Sequence, residues 1–333
     1  MNQRQLGSTG PRLSAIGLGA MGMSGMYGPS DEAESIATVH AAMDAGITLI
    51  DTGDFYGMGH NELLIRDALR SSGRDRGEVA VSVKFGALRD YDGGWHGTDS
   101  RPEAVGNFLA YSLRRLGTDY VDIYRPARLD PAVPIEETVG AIAEQVKAGH
   151  VRHIGLSEVG AETLRRAHAV HPIADLQIEY SLISRGIESE ILPVARELGI
   201  GITAYGVLSR GLISGHWSAD RPLAPGDFRG ISPRFSGDNL DANLALVEAL
   251  RTVAEARGAS TAQVAIAWVL AQGEDIVPLV GARRRERLAE ALGALDVRLD
   301  DADLRAVEEA VPAGAAAGDR YIAAQMAHLD SEK

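Results

Sequence analysis

Three residues have side chains that could together transfer a proton. Asp51 and Tyr56 follow an apolar segment that begins at Ile47, and Lys84 lies near the end of a second apolar segment, 79–85. A lysine ammonium favours the ionised form of a nearby phenol and lowers its pKa from ~10 toward neutrality, while a buried aspartate keeps the lysine charged. Such a phenol can protonate the alkoxide that forms when hydride attacks a carbonyl carbon. We therefore predict that Asp51, Tyr56 and Lys84 catalyse carbonyl reduction.

The use of lysine supports a chemical role for position 84. Lysine occurs only at Lys84, Lys147 and Lys333, whereas arginine is used at many positions. The pKa of a lysine can be shifted by its surroundings but an arginine stays charged, so a lysine inside an apolar segment suggests chemistry. The chain has no cysteine, which excludes disulfides and thiolate nucleophiles. We find no cluster of metal ligands and no convincing pair of acids, and we expect neither a metal site nor a barrel hydrolase.

Short apolar segments alternate with longer helical patterns along the chain. The apolar segments have the character of strands buried on both faces of a parallel sheet, and they are Ser14–Leu18, Ile47–Asp51, Val79–Phe85, Tyr120–Tyr124, Val151–Leu156, Ala174–Ile178, Ile200–Ala204 and Ile276–Leu279. Helical patterns cover 31–45, 60–71, 101–116, 135–148, 160–170, 186–198, 241–257, 261–272, 284–294 and 301–310. Eight strand–helix units in series predict a closed (β/α)8 TIM barrel with its active site at the carboxyl ends of the strands.

The flanking segments complete the predicted domain, which we take to span residues 1–333 because no shift in composition marks a boundary. Residues 4–6 and 12–13 surround a turn-forming sequence and predict an N-terminal β-hairpin across the bottom of the barrel. The loops at 86–100 and 206–238 and the tail after Pro312 are long. Long loops of a compact barrel usually act as lids or determine specificity.

A glycine-rich segment offers an alternative that we reject. Residues 17–22 match the pattern G-x-G-x-x-G after a strand, as in dinucleotide-binding Rossmann domains. Such a site needs a helix that opens directly at the glycines and an acidic residue about 20 positions later. Gly25, Gly28 and Pro29 would interrupt that helix, and the later window around His40 has no acid.

The segment after the last predicted strand has the features of an anion site. Residues 280–287 place a glycine turn and four arginines at the start of a helix. Backbone N–H groups and guanidinium groups both bind phosphate well, and barrels commonly bind phosphate at this position. Cations alone at a helix N-terminus oppose the helix dipole, so we expect an anion to offset them. If the ligand is a nicotinamide cofactor, a phosphate site at this position favours NADP(H) over NAD(H).

The catalytic trio and further segments resemble the aldo-keto reductases over nearly the whole chain. The similar segments are 155–157, 177–182, 204–206 with 210–212, and 281–284. The resemblance implies an NADPH/NADP+ cofactor and the reduction of aldehydes or ketones to alcohols. It implies that Ser157 and Gln177 bind the nicotinamide carboxamide and that Tyr205 stacks on the nicotinamide ring. It also implies a set of phosphate contacts, with Gly206, Leu208 and Arg210 over the pyrophosphate and Gly281, Arg283, Arg284 and Arg287 on the adenosine 2′-phosphate.

The sequence departs from the family pattern after the fourth barrel strand. The position of the usual catalytic histidine is Ala127, which cannot donate a hydrogen bond to a carbonyl oxygen. Strand alternation puts Arg125 on the same face of the strand as Ala127. We therefore hypothesise that Arg125 points into the barrel and pairs with a carboxylate near Lys84, partly replacing the lost polar group. The alternative is that Arg125 only balances the charge of an acid in the core. His96 could also substitute, or be an ordinary exposed loop histidine. A smaller departure is Glu158, where many relatives have asparagine.

Charge and hydropathy limit the partners. The net charge of −13 argues against nucleic acid and against an anionic membrane surface. Residues 1–7 lack the apolar stretch of a signal peptide and no apolar run approaches ~20 residues, so we expect neither a signal peptide nor a membrane-spanning segment. We expect a cytoplasmic protein that acts on a small-molecule carbonyl compound, with no prediction of oligomeric state. The alternative function is a cofactor-binding regulatory or interaction protein on the same barrel, with turnover weakened by Ala127.

Overall fold

The structure is a computed structural model that describes residues 1–333. Its strands are β1 (Gln3–Gln5), β2 (Arg12–Ser14), β3 (Gly17–Gly19), β4 (Leu49–Gly53), β5 (Ala80–Phe85), β6 (Ala87–Arg89), β7 (Trp95–Thr98), β8 (Val121–Pro126), β9 (Val151–Ser157), β10 (Ile173–Glu179), β11 (Gly201–Tyr205) and β12 (Ile276–Gly281). Its helices are α1 (Glu32–Asp44), α2 (His60–Ser71), α3 (Pro102–Leu116), α4 (Ile135–Lys147), α5 (Ala161–Val170), α6 (Ile191–Glu197), α7 (Gly237–Ala256), α8 (Thr261–Ala271), α9 (Arg285–Leu292), α10 (Asp301–Ala310) and α11 (Ala323–Met326).

Eight parallel strands close into the barrel. They pair in the order β3, β4, β5, β8, β9, β10, β11 and β12, and β12 returns to pair with β3. This confirms the predicted (β/α)8 TIM barrel. Apolar side chains of the strands and of the surrounding helices form one large buried cluster that holds the two layers together. No helix is both long and apolar enough to cross a membrane.

The predicted N-terminal hairpin is confirmed by the antiparallel pair β1 and β2. Its Leu6 and Leu13 are buried against side chains of β4, β8 and β12. Arg4 donates hydrogen bonds to the backbone carbonyls of Leu270, Gly273 and Ile276. The hairpin therefore closes the bottom of the barrel and leaves the opposite end for the site.

All eight predicted strands are present, but most end one or two residues later than predicted. The last residues of these strands are polar, glycine or proline, such as Thr52, Ser157 and Glu179, so an apolar pattern stops before them. The rejection of a Rossmann site is also confirmed. After β3 the chain forms a 3-10 turn, and α1 begins only at Glu32.

Several elements differ from their prediction. The helix expected over 186–198 is a 3-10 turn followed by the short α6, because Pro193 is tolerated only near the start of a helix. Helix α7 begins at Gly237 rather than at residue 241. The loop at 86–100 contains the hairpin β6–β7, and the tail contains α11. These hairpin, loop and tail segments all contribute residues to the cavity at the carboxyl end of the barrel.

Candidate active site

The structure brings the three predicted catalytic residues together. Strands β4 and β5 are adjacent, with Gly53 opposite Lys84, so Asp51 and Lys84 project into the barrel at neighbouring positions. The Lys84 ammonium forms a hydrogen-bonded ion pair with the Asp51 carboxylate, and each side chain is only 5% exposed. Lys84 Nζ lies 5.1 Å from the centre of the Tyr56 ring. The Tyr56 phenol, the Lys84 ammonium and the Asp51 carboxylate therefore lie together, buried at the carboxyl end of the barrel.

Asp51 is held by three donors. Besides Lys84, its Oδ2 atom accepts hydrogen bonds from Ser82 Oγ at 2.9 Å and from Gln177 Nε2 at 2.7 Å. These contacts hold the Asp51 carboxylate in place, and Asp51 in turn holds the Lys84 ammonium. Gln177, predicted to bind a carboxamide, thus donates a hydrogen bond to Asp51.

The pKa of Tyr56 does not shift as the sequence suggested. Burial is the main effect and raises the pKa of the Tyr56 hydroxyl well above its ordinary value, and the Asp51 charge adds to it. Burial also lowers the pKa of Lys84, although the Asp51 carboxylate opposes this. The Tyr56 pKa therefore does not fall toward neutrality, because the effect of desolvating the phenol is larger than the opposing effect of nearby cations. Tyr56 is a protonated phenol at neutral pH.

Ala127 lies at the carboxyl end of β8 and lines the cavity. Arg125 points into the barrel, where it is fully buried. It donates to Ser82 Oγ at 2.9 Å and pairs with Asp175 at 3.0 Å. It does not line the cavity, and neither does His96, which is exposed on β7. Neither residue occupies the space beside Ala127.

A cationic residue that the sequence analysis did not select lies next to Ala127. Arg128 lines the cavity, and its charge partly opposes the increase in the Tyr56 pKa. Its Nη1 donates to the Ala127 carbonyl at 2.6 Å, and its Nη2 lies 3.5 Å from the Tyr321 hydroxyl. The sequence analysis could not predict the direction of the Arg128 side chain, because β8 ends at Pro126 and the alternation of faces stops there.

One cavity of about 1170 Å³ extends from Tyr56 to the start of α9. All of the residues predicted for catalysis or cofactor binding line it, and these are Asp51, Tyr56, Lys84, Ser157, Gln177, Tyr205, Gly206, Leu208, Arg210, Gly281, Arg283, Arg284 and Arg287. The predicted sites thus belong to a single continuous space.

A buried ionic network lies behind the cavity wall at Tyr205 and Tyr321, which line the cavity. Glu158 accepts two hydrogen bonds from Arg320, at 2.6 and 2.9 Å, and one from the Tyr205 hydroxyl at 2.7 Å. Burial alone would raise the pKa of Glu158, but the Arg320 charge and its hydrogen bonds outweigh burial and lower it to about 2. The Tyr205 hydroxyl also lies 2.8 Å from that of Tyr321. The C-terminal tail is therefore part of the site wall.

The loop after β11 is fixed to the same network. Gly206 and Arg210 both have positive φ, and Leu208 accepts backbone hydrogen bonds within the turn. The Arg210 guanidinium lies 3.5 Å from the Glu179 carboxylate and donates to the carbonyl of Arg320 at 2.8 Å. Arg210 thus already has a buried acidic partner.

The four arginines at the start of α9 differ in their contacts. Arg283 donates through Nη1 to three backbone carbonyls of residues 27–29, and Arg287 pairs with Glu290 at 3.0 Å. Arg285 pairs with Glu34 on α1 and does not line the cavity. Arg284 lines the cavity and has no carboxylate within 4 Å. Its charge is therefore not paired with an acid of the protein.

Arg221 is a further cation at this end of the cavity that the sequence analysis did not select. It lies in the long loop before α7, lines the cavity and has no carboxylate within 4 Å. Burial is the main cause that lowers its pKa, and the charges of Arg229, Arg287 and Arg284 add to the effect. The only feature of the sequence that could have indicated Arg221 is its position in the unusually long loop at 206–238.

Comparison with known proteins decides the family. The model of the aldo/keto reductase family matches residues 15–312. The chain belongs to this family. A curated relative, probable aldo-keto reductase 1 of Glycine max, is 42% identical over 319 residues, which is 95% of this chain and 91% of that protein.

Two solved structures of aldo-keto reductases are similar over most of their length. The glycerol dehydrogenase AKR11B4 from Gluconobacter oxydans is 28% identical with a TM-score of 0.83, covering 98% of this chain and 96% of that one. The thermostable aldo-keto reductase Tm1743, in complex with the inhibitor epalrestat, is 27% identical with a TM-score of 0.73, covering 93% and 100%. The family indicates an oxidoreductase that uses a nicotinamide cofactor.

Proposed function

We propose that this aldo-keto reductase reduces aldehydes or ketones to alcohols with NADPH, and that Tyr56 is the general acid. The observation that supports this most strongly is the buried contact of Lys84 with both Asp51 and the Tyr56 ring, in a cavity that also contains unpaired arginines. A protein that only binds a nucleotide does not need a buried phenol, ammonium and carboxylate in contact.

The residues present fit a dinucleotide. The Ser157 hydroxyl is buried in the cavity wall without a hydrogen-bond partner, which suits a polar ligand group such as a carboxamide. At the other end, Arg221 and Arg284 have no acidic partner near the start of α9, which suits a phosphate. Ser157, Gln177 and Tyr205 would hold the nicotinamide, and the arginines would hold the 2′-phosphate.

The proposed reaction uses the protein as proton donor. Bound NADPH would supply the hydride. Tyr56, protonated at neutral pH, donates its hydroxyl proton to the substrate oxygen as negative charge develops there. Lys84 stabilises the resulting phenolate, and Asp51 keeps Lys84 in place through its bonds to Ser82 and Gln177. The buried walls strengthen these charge interactions because they exclude water.

The choice of NADPH over NADH rests on the arginines. Arg284 and Arg221 have positive charges that no acid within 4 Å neutralises, and only NADPH has an additional phosphate to bind them. Arg283 and Arg287 contribute less, because each already has partners in the protein. Each hydrogen bond between such an arginine and the charged phosphate would stabilise bound NADPH by about 1.5–3 kcal/mol. A clear preference for NADPH is therefore expected.

The experiment measures NADPH consumption with a panel of aldehydes and ketones. Tyr56→Phe should abolish consumption while NADPH still quenches tryptophan fluorescence as in the wild type. Tyr111→Phe is the matched control, because Tyr111 is 58% exposed on α3 and outside the cavity. Undiminished turnover by Tyr56→Phe would contradict the proposed role. If the wild type binds NADPH but reduces no carbonyl compound, the regulatory alternative replaces the reductase.

A further inference from the structure

The arginines of the cavity fall into two groups by their partners. Arg210 pairs with Glu179, Arg229 pairs with Asp227 at 2.6 Å, and Arg287 pairs with Glu290 at 3.0 Å. Others have no carboxylate within 4 Å. The unpaired ones at the α9 end suit a phosphate, as described above. Two more cavity arginines are Arg128, whose charge acts on Tyr56, and Arg89 in the hairpin β6–β7.

We propose that Arg89 and Arg128 bind an anionic group of the substrate, so that the preferred substrates are aldehydes or ketones that also have a carboxylate or a phosphate. This inference rests on the proposed reductase function and specifies its substrate class. It also gives a role to the space beside Ala127, since Ala127 and Arg128 both line the cavity.

Arg128 follows Ala127 directly, at the rim where β8 lies beside β5. Its guanidinium donates to a backbone carbonyl and lies 5.9 Å from the centre of the Tyr321 ring. Its contacts are thus with neutral groups only. A substrate whose carbonyl oxygen reaches Tyr56 would place its neighbouring atoms close to this cation.

Arg89 reaches the same end from the other side. It pairs in register with Trp95 in the hairpin β6–β7, and the Trp95 ring meets the Phe55 ring edge-on at 6.4 Å. Phe55 in turn lies 4.8 Å from the Tyr56 ring. Arg89 Nε is buried without a hydrogen-bond partner.

Burial lowers the pKa of Arg89 and the charge of the adjacent Asp90 opposes this, but the two side chains form no ion pair within 4 Å. The Asp90 carboxylate instead accepts a hydrogen bond of 2.6 Å from the backbone N–H of Gly94, in the turn of the same hairpin. The Arg89 side chain is only partly buried, but its Nε atom is buried without a partner, and an anion that binds there would supply the missing hydrogen bond. Since most arginines of this acidic chain pair with a carboxylate, the exceptions inside a cavity indicate where an anionic ligand binds.

The test compares matched pairs of substrates by kcat/KM with NADPH. One pair is 4-carboxybenzaldehyde and methyl 4-formylbenzoate; the other is glyceraldehyde 3-phosphate and glyceraldehyde. The wild type should prefer the charged member of at least one pair by about tenfold or more, and the pair that shows the preference identifies the anion. The ratio should fall by about tenfold in Arg128→Met and in Arg89→Met. Arg298→Met removes the same charge at an exposed position outside the cavity and should keep the wild-type ratio.

Several outcomes would overturn the inference while leaving the reductase intact. One is turnover of the neutral aldehydes without any preference for the charged ones. Another is an unchanged ratio in both cavity variants. Loss of NADPH affinity in Arg128→Met with an unchanged ratio would assign Arg128 to the nucleotide. If no aldehyde is reduced, calorimetry with terephthalate replaces kinetics: affinity that is tenfold weaker in Arg128→Met supports the anion site, and no binding or equal binding in the two proteins refutes it.

Discussion

Replacing Arg320 with methionine is expected to destabilise the protein by about 3 kcal/mol at pH 7. Arg320 is the cationic partner of Glu158, which is fully buried. The pKa of Glu158 falls from an ordinary 4.5 to about 2, with burial opposing the fall and the Arg320 charge outweighing burial. A difference of that size corresponds to about 3 kcal/mol of stability, present above pH ~4.5 and lost as the pH falls toward 2.

The pH dependence separates this ion pair from a loss of packing. Without Arg320, burial should raise the pKa of Glu158 above 4.5, so that the carboxyl group is neutral in mild acid. The stability difference between wild type and Arg320→Met should therefore shrink by at least about 1.4 kcal/mol between pH 7 and pH 3.5, because the wild type loses that much and the variant, with its raised Glu158 pKa, gains. Urea unfolding at each pH measures the difference, and hydrogen exchange of peptides from 312–333 shows whether the tail is released.

Two variants complete the experiment. Arg298→Met, at an exposed position, should unfold as the wild type does. Glu158→Gln combined with Arg320→Met should be less destabilised than the sum of the single variants, by about 1–3 kcal/mol, because the charges are coupled. Strictly additive effects, or a pH-independent cost of Arg320→Met, would refute the account of the buried pair.

Three further predictions concern single residues. Arg284→Met should weaken NADPH binding about tenfold, but not NADH binding, in fluorescence titrations, because its charge has no acidic partner in the protein. Arg125→Met should lower the free energy of unfolding by about 3–5 kcal/mol because it leaves Asp175 buried without its cation, and Asp175→Asn in the same chain should restore part of that loss. His96→Ala should leave kcat/KM unchanged, since His96 is exposed and outside the cavity; a tenfold loss would show that the hairpin moves onto the substrate.

The barrel could be predicted because local patterns determine it. Each strand is short and apolar, each is followed by a helical pattern, and the alternation of eight such units has one favourable closure. That closure alone placed Asp51 and Lys84 on neighbouring strands. The C-terminal tail could not be placed in this way. The bond between Arg320 and Glu158 joins residues far apart in the chain, and no local pattern identifies the partner of a charged residue.

The electrostatics of the site also required the structure. The sequence indicated a cation near Tyr56 and so suggested a lowered phenol pKa, but burial changes the pKa in the opposite direction and is the larger effect. Arg128 was missed because it follows the end of a strand, where alternation no longer tells which way a side chain points. Arg125 follows the alternation and points inward, yet its contacts are with Ser82 and Asp175 rather than with the cavity.

The most direct test of the account follows the hydride and the proton donor together. NADPH with deuterium at both C4 positions of the nicotinamide is incubated with the enzyme and an aldehyde, and the alcohol is analysed by mass spectrometry. The account predicts an alcohol with one deuterium on the former carbonyl carbon from the wild type, and none from Tyr56→Phe despite retained NADPH binding. An alcohol without deuterium, or equal deuterium transfer by Tyr56→Phe, would contradict it.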